Sequence, residues 1–508
     1  MPKFVPISLR TNLENSWEYA PGSLVIANGA VPLRNGAYAS FSSHVTNASL
    51  VTNGLTVYPL TSGIVILPDN STRWFWFNKQ SIYEQTSTTA ATDRSSTAYS
   101  ASTTTWTWTM FGSLCIATNK LNNPQSSSSG AFADLSGSPP KAQLVASNMG
   151  FVLFADFNDG TDTPDGWYCS QLENPTGSWT TSVSTQCAKG RLYDTPGKIC
   201  ALVALRDSIV AFKENSIYVG DYIGDTTNGI IWAWRLISDK IGCAAPHGVA
   251  TLNDCLYFIH RTNIYQFDGA AVRPIGDAVI DKVVGDLAAS NVFDKAQATV
   301  DQKGGQIFWW FDTNANSELD YGVFYQVQTG AFGTRDGQSA WNSSGTYGID
   351  FYPTCVVKTT QGNVLRNLGS STDYGTMIFG GKTDATHAGA WYCAYPGANN
   401  QYETTTTMRF LTGPIGSGDD DNWIDEVRPR LLYYGTQAAT PTCQIGCDTL
   451  ESDIIAGLAD YVQTGTWNST DMTFDVTANG RYMAANITFK GPATVAGLYV
   501  RTRPSGRK

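Results

Sequence analysis

The sequence is poor in charge. Asp, Glu, Lys and Arg together make up 15% of its 508 residues, against roughly 25% in an ordinary globular chain. Ser, Thr, Gly and Asn fill the deficit, a composition that favours strands and turns over long helices. Basic residues are the scarcer sign, 33 against 43 acidic, for a net charge of −10. A tight grip on nucleic acid is thereby excluded, because that affinity comes from Lys and Arg neutralising phosphates. Surrounding a duplex without holding it remains compatible with the charge. Histidine is rarer still, with four residues (His44, His247, His260, His387) that do not cluster. There is no HExxH, no GxSxG between strand and helix, no P-loop and no dinucleotide fingerprint. No run of 18 apolar residues exists, so no membrane span is expected. The opening MPKFVPISLRTNLENSWEY has no apolar core of a signal peptide, so the chain is expected to stay in the compartment where it is made. CxxC is absent, and the ten cysteines are scattered. Cys443 and Cys447 are four apart without a histidine nearby to complete a zinc site. Most of the cysteines are therefore expected to be small buried apolar residues rather than metal ligands or disulfides.

What the sequence does have is recurrence. RDSIVAFKENSIYVGD at 206–221 returns as NDCLYFIHRTNIYQFD at 253–268. Leu205, Asp207, Ile217 and Tyr218 match Leu252, Asp254, Ile264 and Tyr265, each pair 47 apart. Apolar strand, turn, second strand, polar tip and third strand repeat elsewhere, in RWFWFNKQSIYEQT (73–86), AQLVASNMGFVLFADFND (142–159) and GGQIFWWFDTNANSELDYGVFYQVQTGAF (304–332). TCVVKTTQGNVLRNLG (354–369) has the same character. Units of 40–50 residues with several strands each are the signature of propeller blades, since a lone hairpin is not stable in water. The expected fold is all-β: a β-propeller of about six blades over 51–403, an extended N-terminal arm over 1–50 and a C-terminal β-sandwich-like domain over 404–508. A string of β-sandwich hairpins is the alternative. The Ser/Thr-rich tract 86–105 is expected as a loop between blades. One helix is expected within 274–297, where Ile280, Val283, Val284 and Leu287 share a face.

No catalytic constellation emerges. TRDGQSAW (334–341) resembles an Asp box faintly and NPTGSW (174–179) lacks its aspartate. The acidic run GSGDDDNWIDE (416–426) does not alternate as a calcium loop requires, and is expected as a solvated loop. His247 and His260 flank one strand pair and are expected as ordinary core or loop residues. The expectation is a chain that is not an enzyme and has no cofactor, no metal and no catalytic residues.

Four ordered stretches carry a family resemblance: SPPKAQLVASNMGFVLFADFND, WYCSQLENPTGSW, LRDSIVAFKENSIYVGDYIG and KIGCAAPHGVATLNDCLYFIHRTNIYQFDG. Together they resemble the tail nozzle, or tail hub, proteins of short-tailed bacteriophages, also called packaged-DNA stabilisation proteins. The likeness covers roughly 110–275. It implies a homohexamer below the portal and adaptor ring, a virion tail component made in the host bacterial cytoplasm. It also implies a tail needle or plug at the tip, tailspikes or fibres on the side, and double-stranded DNA passing through without specific binding. Six copies at −10 each give an acidic collar of −60. Two rival classes remain at this stage, a receptor-binding module on a propeller and a glycosidase or sialidase on the same fold.

Overall fold

A computed structural model describes residues 3–7, 24–41, 58–86, 91–100, 105–277, 279–287, 292–313, 317–335, 352–359, 377–382, 389–394, 407–415, 422–437, 439–448 and 461–504. The described chain is all-β apart from the helix Ile280–Leu287 and the short 3-10 turn Phe293–Lys295. Five four-stranded antiparallel meanders follow one another as propeller blades. Their first strands are Thr107–Phe111, Lys141–Asn148, Ile199–Leu205, Ala250–Leu252 and Gln297–Asp301. Their last strands are Ala133–Asp134, Lys189–Arg191, Ile230–Ser238, Val272–Pro274 and Ala331–Arg335.

The 47-residue recurrence is the third blade followed by the fourth. Leu205 and Leu252 close the first strands, and in the third strands Ile217 comes first and Ile264 second, both fully buried. Arg206, Asn253 and Asp254 turn the hairpins at φ 52°, 51° and 57°. Left-handed residues of this kind match the twist of two-residue hairpins. Middle strands lie between neighbouring blades and are apolar on both faces, as Phe151–Asn158 shows with all but its last residue buried. The propeller therefore has several cores, packed between neighbouring blades. Leu153, Trp167, Ile209 and Trp232 fill the gap between the second and third. Phe212, Phe258, Trp309 and Tyr325 belong to the core running from third to fifth. Side chains also tie the hairpin turns together. Asn148 donates to the carbonyls of Arg206 (2.9 Å) and Ser208 (2.8 Å), and Arg206 donates to those of Asp254 (2.9 Å) and Asp268 (3.0 Å).

No sixth separate blade forms among the described residues. Instead, strands Thr61–Ile66, Thr72–Phe77, Ile82–Gln85 and Ala91–Asp93 join Tyr352–Thr359, Met377–Lys382 and Gly389–Ala394 in one seven-stranded sheet. The two halves merge because Val357, Lys358 and Thr359 pair in parallel with Ser62, Gly63 and Ile64. Ala91–Asp93 is a strand inside the Ser/Thr tract expected as a loop, and 94–100 follows it without helix or strand; 87–90 and 101–104 of that tract lie outside the described residues, as does 360–369.

Strands near both ends of the sequence extend the sheet of the fifth blade, joined to it where Asn28 pairs in parallel with Thr334. Thr407–Thr412, Asn422–Tyr434, Ala439–Asp448, Tyr461–Asn468, Thr473–Gly480, Tyr482–Lys490 and Ala493–Pro504 pair with Leu24–Asn28, Ala30–Pro32 and Tyr38–Ser40. Lys3–Ile7 pairs antiparallel with Ala493–Pro504. The first residues are thus woven in rather than extended as an arm. Leu24, Tyr38, Phe410, Val427, Phe474 and Val500 belong to a core distinct from those of the blades.

Candidate functional site

First strands of the blades line the propeller axis, and two cavities lie along it. One, of about 400 Å³, opens where these strands begin. The other, of about 490 Å³, has walls of Val145, Leu202, Val249 and Val300. Pro246 and His247 line both, so they form the waist between them. The His247 peptide is fixed from the fifth blade, whose Ala298 N–H donates to its carbonyl at 2.8 Å. The buried ring then reaches to the first blade, where Nε2 donates to the Trp106 carbonyl at 3.1 Å. Gln297 clasps the same region. Its amide donates to the Leu60 (3.3 Å) and Thr354 (3.2 Å) carbonyls, and its oxygen accepts from the Val356 N–H at 3.1 Å.

Charge gathers in the 400 Å³ cavity, lined by Lys79, Lys198, Lys295, Asp156, Asp294 and Asp312. Asp156 is the unusual member. It sits at a bulge between Ala155 and Phe157, in left-handed backbone at φ 51°, and is 4% exposed. A bulge re-aims a side chain, and residues held in this region carry strain. Its carboxylate accepts a short hydrogen bond from Lys120, which also reaches Asp162 at 2.7 Å. Lys120 and Asp162 line an adjacent open cleft of about 1000 Å³. The Lys120–Asp156 pair therefore stands between cleft and axial cavity. Burial pushes the Asp156 carboxyl above the usual carboxylate range, with Lys120 opposing it. Desolvation pulls the Lys120 ammonium down, but the hydrogen bonds to Asp156 and Asp162 outweigh this and raise it overall. Nothing but an Asp interrupting the apolar run FVLFADF marks this residue in the sequence.

The two histidines are not brought together by any bond. His260 pairs with Thr262 (2.8 Å) and Asn215 (3.1 Å), away from the waist, and burial lowers its pKa. His44 and His387 lie outside the described residues. NPTGSW is a packed loop in which Trp179 donates to the Pro175 carbonyl at 3.0 Å. Of TRDGQSAW only Thr334 and Arg335 are described, and they end a strand. Asp419–Asp421 lie outside the described residues, while Asp425 and Glu426 pair with Arg501 at 3.2 and 3.1 Å. Of the nine cysteines whose side chains are described, eight are buried and none is in a disulfide. Burial pushes the Cys200 thiol, beside the charged cavity, up to about 11. Among the described residues no group of three or more His, Cys, Asp or Glu is placed to hold a metal. No helix among them is long and apolar enough to cross a membrane.

No family model and no curated protein matches the chain. Solved structures similar to it are propeller proteins. Virginiamycin B lyase from Staphylococcus aureus has a TM-score of 0.40 and 11% identity, over 68% of this chain and 97% of that one. YCF48 bound to D1 peptide has 0.38 and 10%, over 69% and 95%. An exo-β-1,3-galactanase from Phanerochaete chrysosporium has 0.27 and 8%, over 90% and 100%. Two of these are enzymes, which corrects the expectation that the chain is not an enzyme. HExxH, GxSxG, the P-loop and the dinucleotide fingerprint belong to helices and to strand–helix turns of other folds. Their absence from a propeller therefore excludes no activity.

Proposed function

We propose that the chain is a virion structural protein, the tail nozzle or hub subunit of a short-tailed bacteriophage, acting as a homohexamer below the portal and adaptor ring. The supporting observation is the order of the four resembling stretches. They fall on consecutive blades: the first hairpin of the second blade, its third strand with the loop after it, the middle of the third blade, and the lead-in and first three strands of the fourth. They form one packed tract, not scattered pieces. In this proposal the halves of the seven-stranded sheet close the propeller ring, and the sheet of 407–504 with its N-terminal strands is the second domain.

The axis of a single propeller is crossed by His247, and its cavities are of a few hundred Å³. DNA therefore passes between subunits, along a collar whose net negative charge avoids phosphate contacts that would retard ejection. A tail needle or plug closes the far end, and tailspikes or fibres dock outside.

The test is the mass of the purified protein in solution, with electron micrographs of it alone and mixed with a portal–adaptor assembly. A ring of six capping the adaptor is expected. A trimer, or a monomer that ignores the adaptor, overturns the proposal.

A further inference from the structure

The charged cavity on the axis has a surplus that the fold does not consume. Asp156 is committed to Lys120 from outside the cavity. Asp312 accepts the Ser317 N–H at 2.8 Å and lies 3.9 Å from Lys295. Lys79 and Lys198 make no ion pair among the described residues, and neither does Asp294 at the rim. The two ammonium groups come from different parts of the ring, and Lys198 lies near enough to Asp156 to favour its charged form. Lys79 stands in the turn before Ile82–Gln85, and Lys198 immediately precedes Ile199–Leu205.

The remaining polar wall is already satisfied. Gln143 donates to the Thr105 carbonyl at 3.0 Å, Thr354 donates to the Gly380 carbonyl at 3.2 Å, and Gln297 uses both ends of its amide. These groups shape the pocket without asking for a ligand. Leu60, Ile199, Leu319 and Pro246 add apolar wall, and His247 closes the floor. At about 400 Å³ the space falls within the range of small-ligand cavities, about 300–1,000 Å³. Two lysines without an ion pair on the wall of a partly apolar pocket suit an anionic head on a short organic body.

We propose that this axial cavity is a binding site for a carboxylate, with Lys79 and Lys198 holding the anionic oxygens and the aliphatic body lying against Leu60, Ile199 and Leu319. The carboxylate is that of a small organic acid or of the C-terminus of an extended peptide. The site belongs to a single chain, so it stands or falls independently of the hexamer.

Three probes separate the sources: a pool of N-acetylated tripeptides randomised at every position, the same pool as C-terminal amides, and succinate. Binding to the full chain is followed by calorimetry. The free-acid pool is expected to bind, with the amide pool at least about tenfold weaker, the loss of one charge-assisted interaction. Succinate competing for the same site identifies a small acid as sufficient; acid peptides binding without succinate competition identify a peptide terminus. The double variant Lys79→Gln/Lys198→Gln changes exposed side chains and is expected to fold, with binding reduced about tenfold or more. Lys240→Gln, an exposed lysine elsewhere, is expected to leave binding unchanged. Equal binding of acid and amide, no binding by any probe, or undiminished binding by the double variant overturns the proposal.

Discussion

Replacing Gln297 with methionine keeps the volume of the side chain and removes three hydrogen bonds at once. The bonds matter because of what they join. Gln297 begins the fifth blade, while Leu60, just before Thr61–Ile66, and Thr354 and Val356 in Tyr352–Thr359 lie where the two halves of the seven-stranded sheet meet. Thr354 and Val356 are 3% and 2% exposed, so water cannot replace the lost amide. Each buried group left without a partner costs about 1–3 kcal/mol. The Leu60 carbonyl is half-buried and adds little. The expected loss is about 3–5 kcal/mol, a large share of the roughly 5–15 kcal/mol that holds a domain folded. Equilibrium denaturation followed by tryptophan fluorescence and circular dichroism measures it. Gln302→Met is the control, since Gln302 is exposed and its replacement is expected to stay within about 0.5 kcal/mol. A loss below about 1 kcal/mol for Gln297→Met, or parity with the control, would refute the idea that this amide clasps the ring.

Other perturbations test other links. Glu84 bridges Arg73 (2.7 Å) and Arg94 (2.8 Å), and the Arg73 and Glu84 side chains are 7% and 9% exposed. Glu84→Ala strands a buried guanidinium and is expected to cost about 3–5 kcal/mol in chemical denaturation, whereas Arg73→Met with Glu84→Leu is expected to be close to neutral. A Cβ on Gly63 would lie 1.7 Å from Cζ2 of Trp108, so Gly63→Ala must displace the indole. A loss of about 1–3 kcal/mol with a shifted tryptophan emission is expected, and an unchanged spectrum counts against that packing. Burial, with Arg261 adding to it, holds the His260 pKa below 6.5, so the unfolded chain takes up this proton first. Stability is therefore expected to fall as pH drops below about 6.5 and to level off below the folded pKa. Denaturation midpoints between pH 7 and 5 should lose this component of slope in His260→Gln.

The sequence made the blades legible because their signal is local. Alternation, hairpin turns and the paired positions Ile217/Ile264 and Tyr218/Tyr265 all lie within one meander. The helix was legible for the same reason, as Ile280, Val283 and Leu287 share a buried face. What escaped was everything decided at long range. Three residues of parallel pairing at Ser62–Ile64 merge strands almost three hundred residues apart, and no local period announces them. The strands of 24–40 look like a loose arm because, apart from the hairpin of Ala30–Pro32 with Tyr38–Ser40, their partners lie beyond residue 330. The axial cavity was hidden likewise. Lys79, Lys198 and Asp312 are unremarkable polar residues in loops, and only ring closure brings them to one opening. Asp156 left a trace as a charge inside an apolar run, but a bulge cannot be told from a strand end by pattern alone.

The pairing of Lys3–Ile7 with Ala493–Pro504 sets a clock on biosynthesis. At about 5–20 residues per second, a ribosome needs about 25–100 s to make the partner of the first strand. Over that interval the blades emerge in order, each able to pack on the one before. The N-terminal strands meanwhile wait with open edges, a template for pairing with the wrong chain. A nascent polypeptide interrupted before residue 493 can assemble blades but never retire those edges. Completion of this sheet thus waits on Ala493–Pro504, long after the blades have emerged.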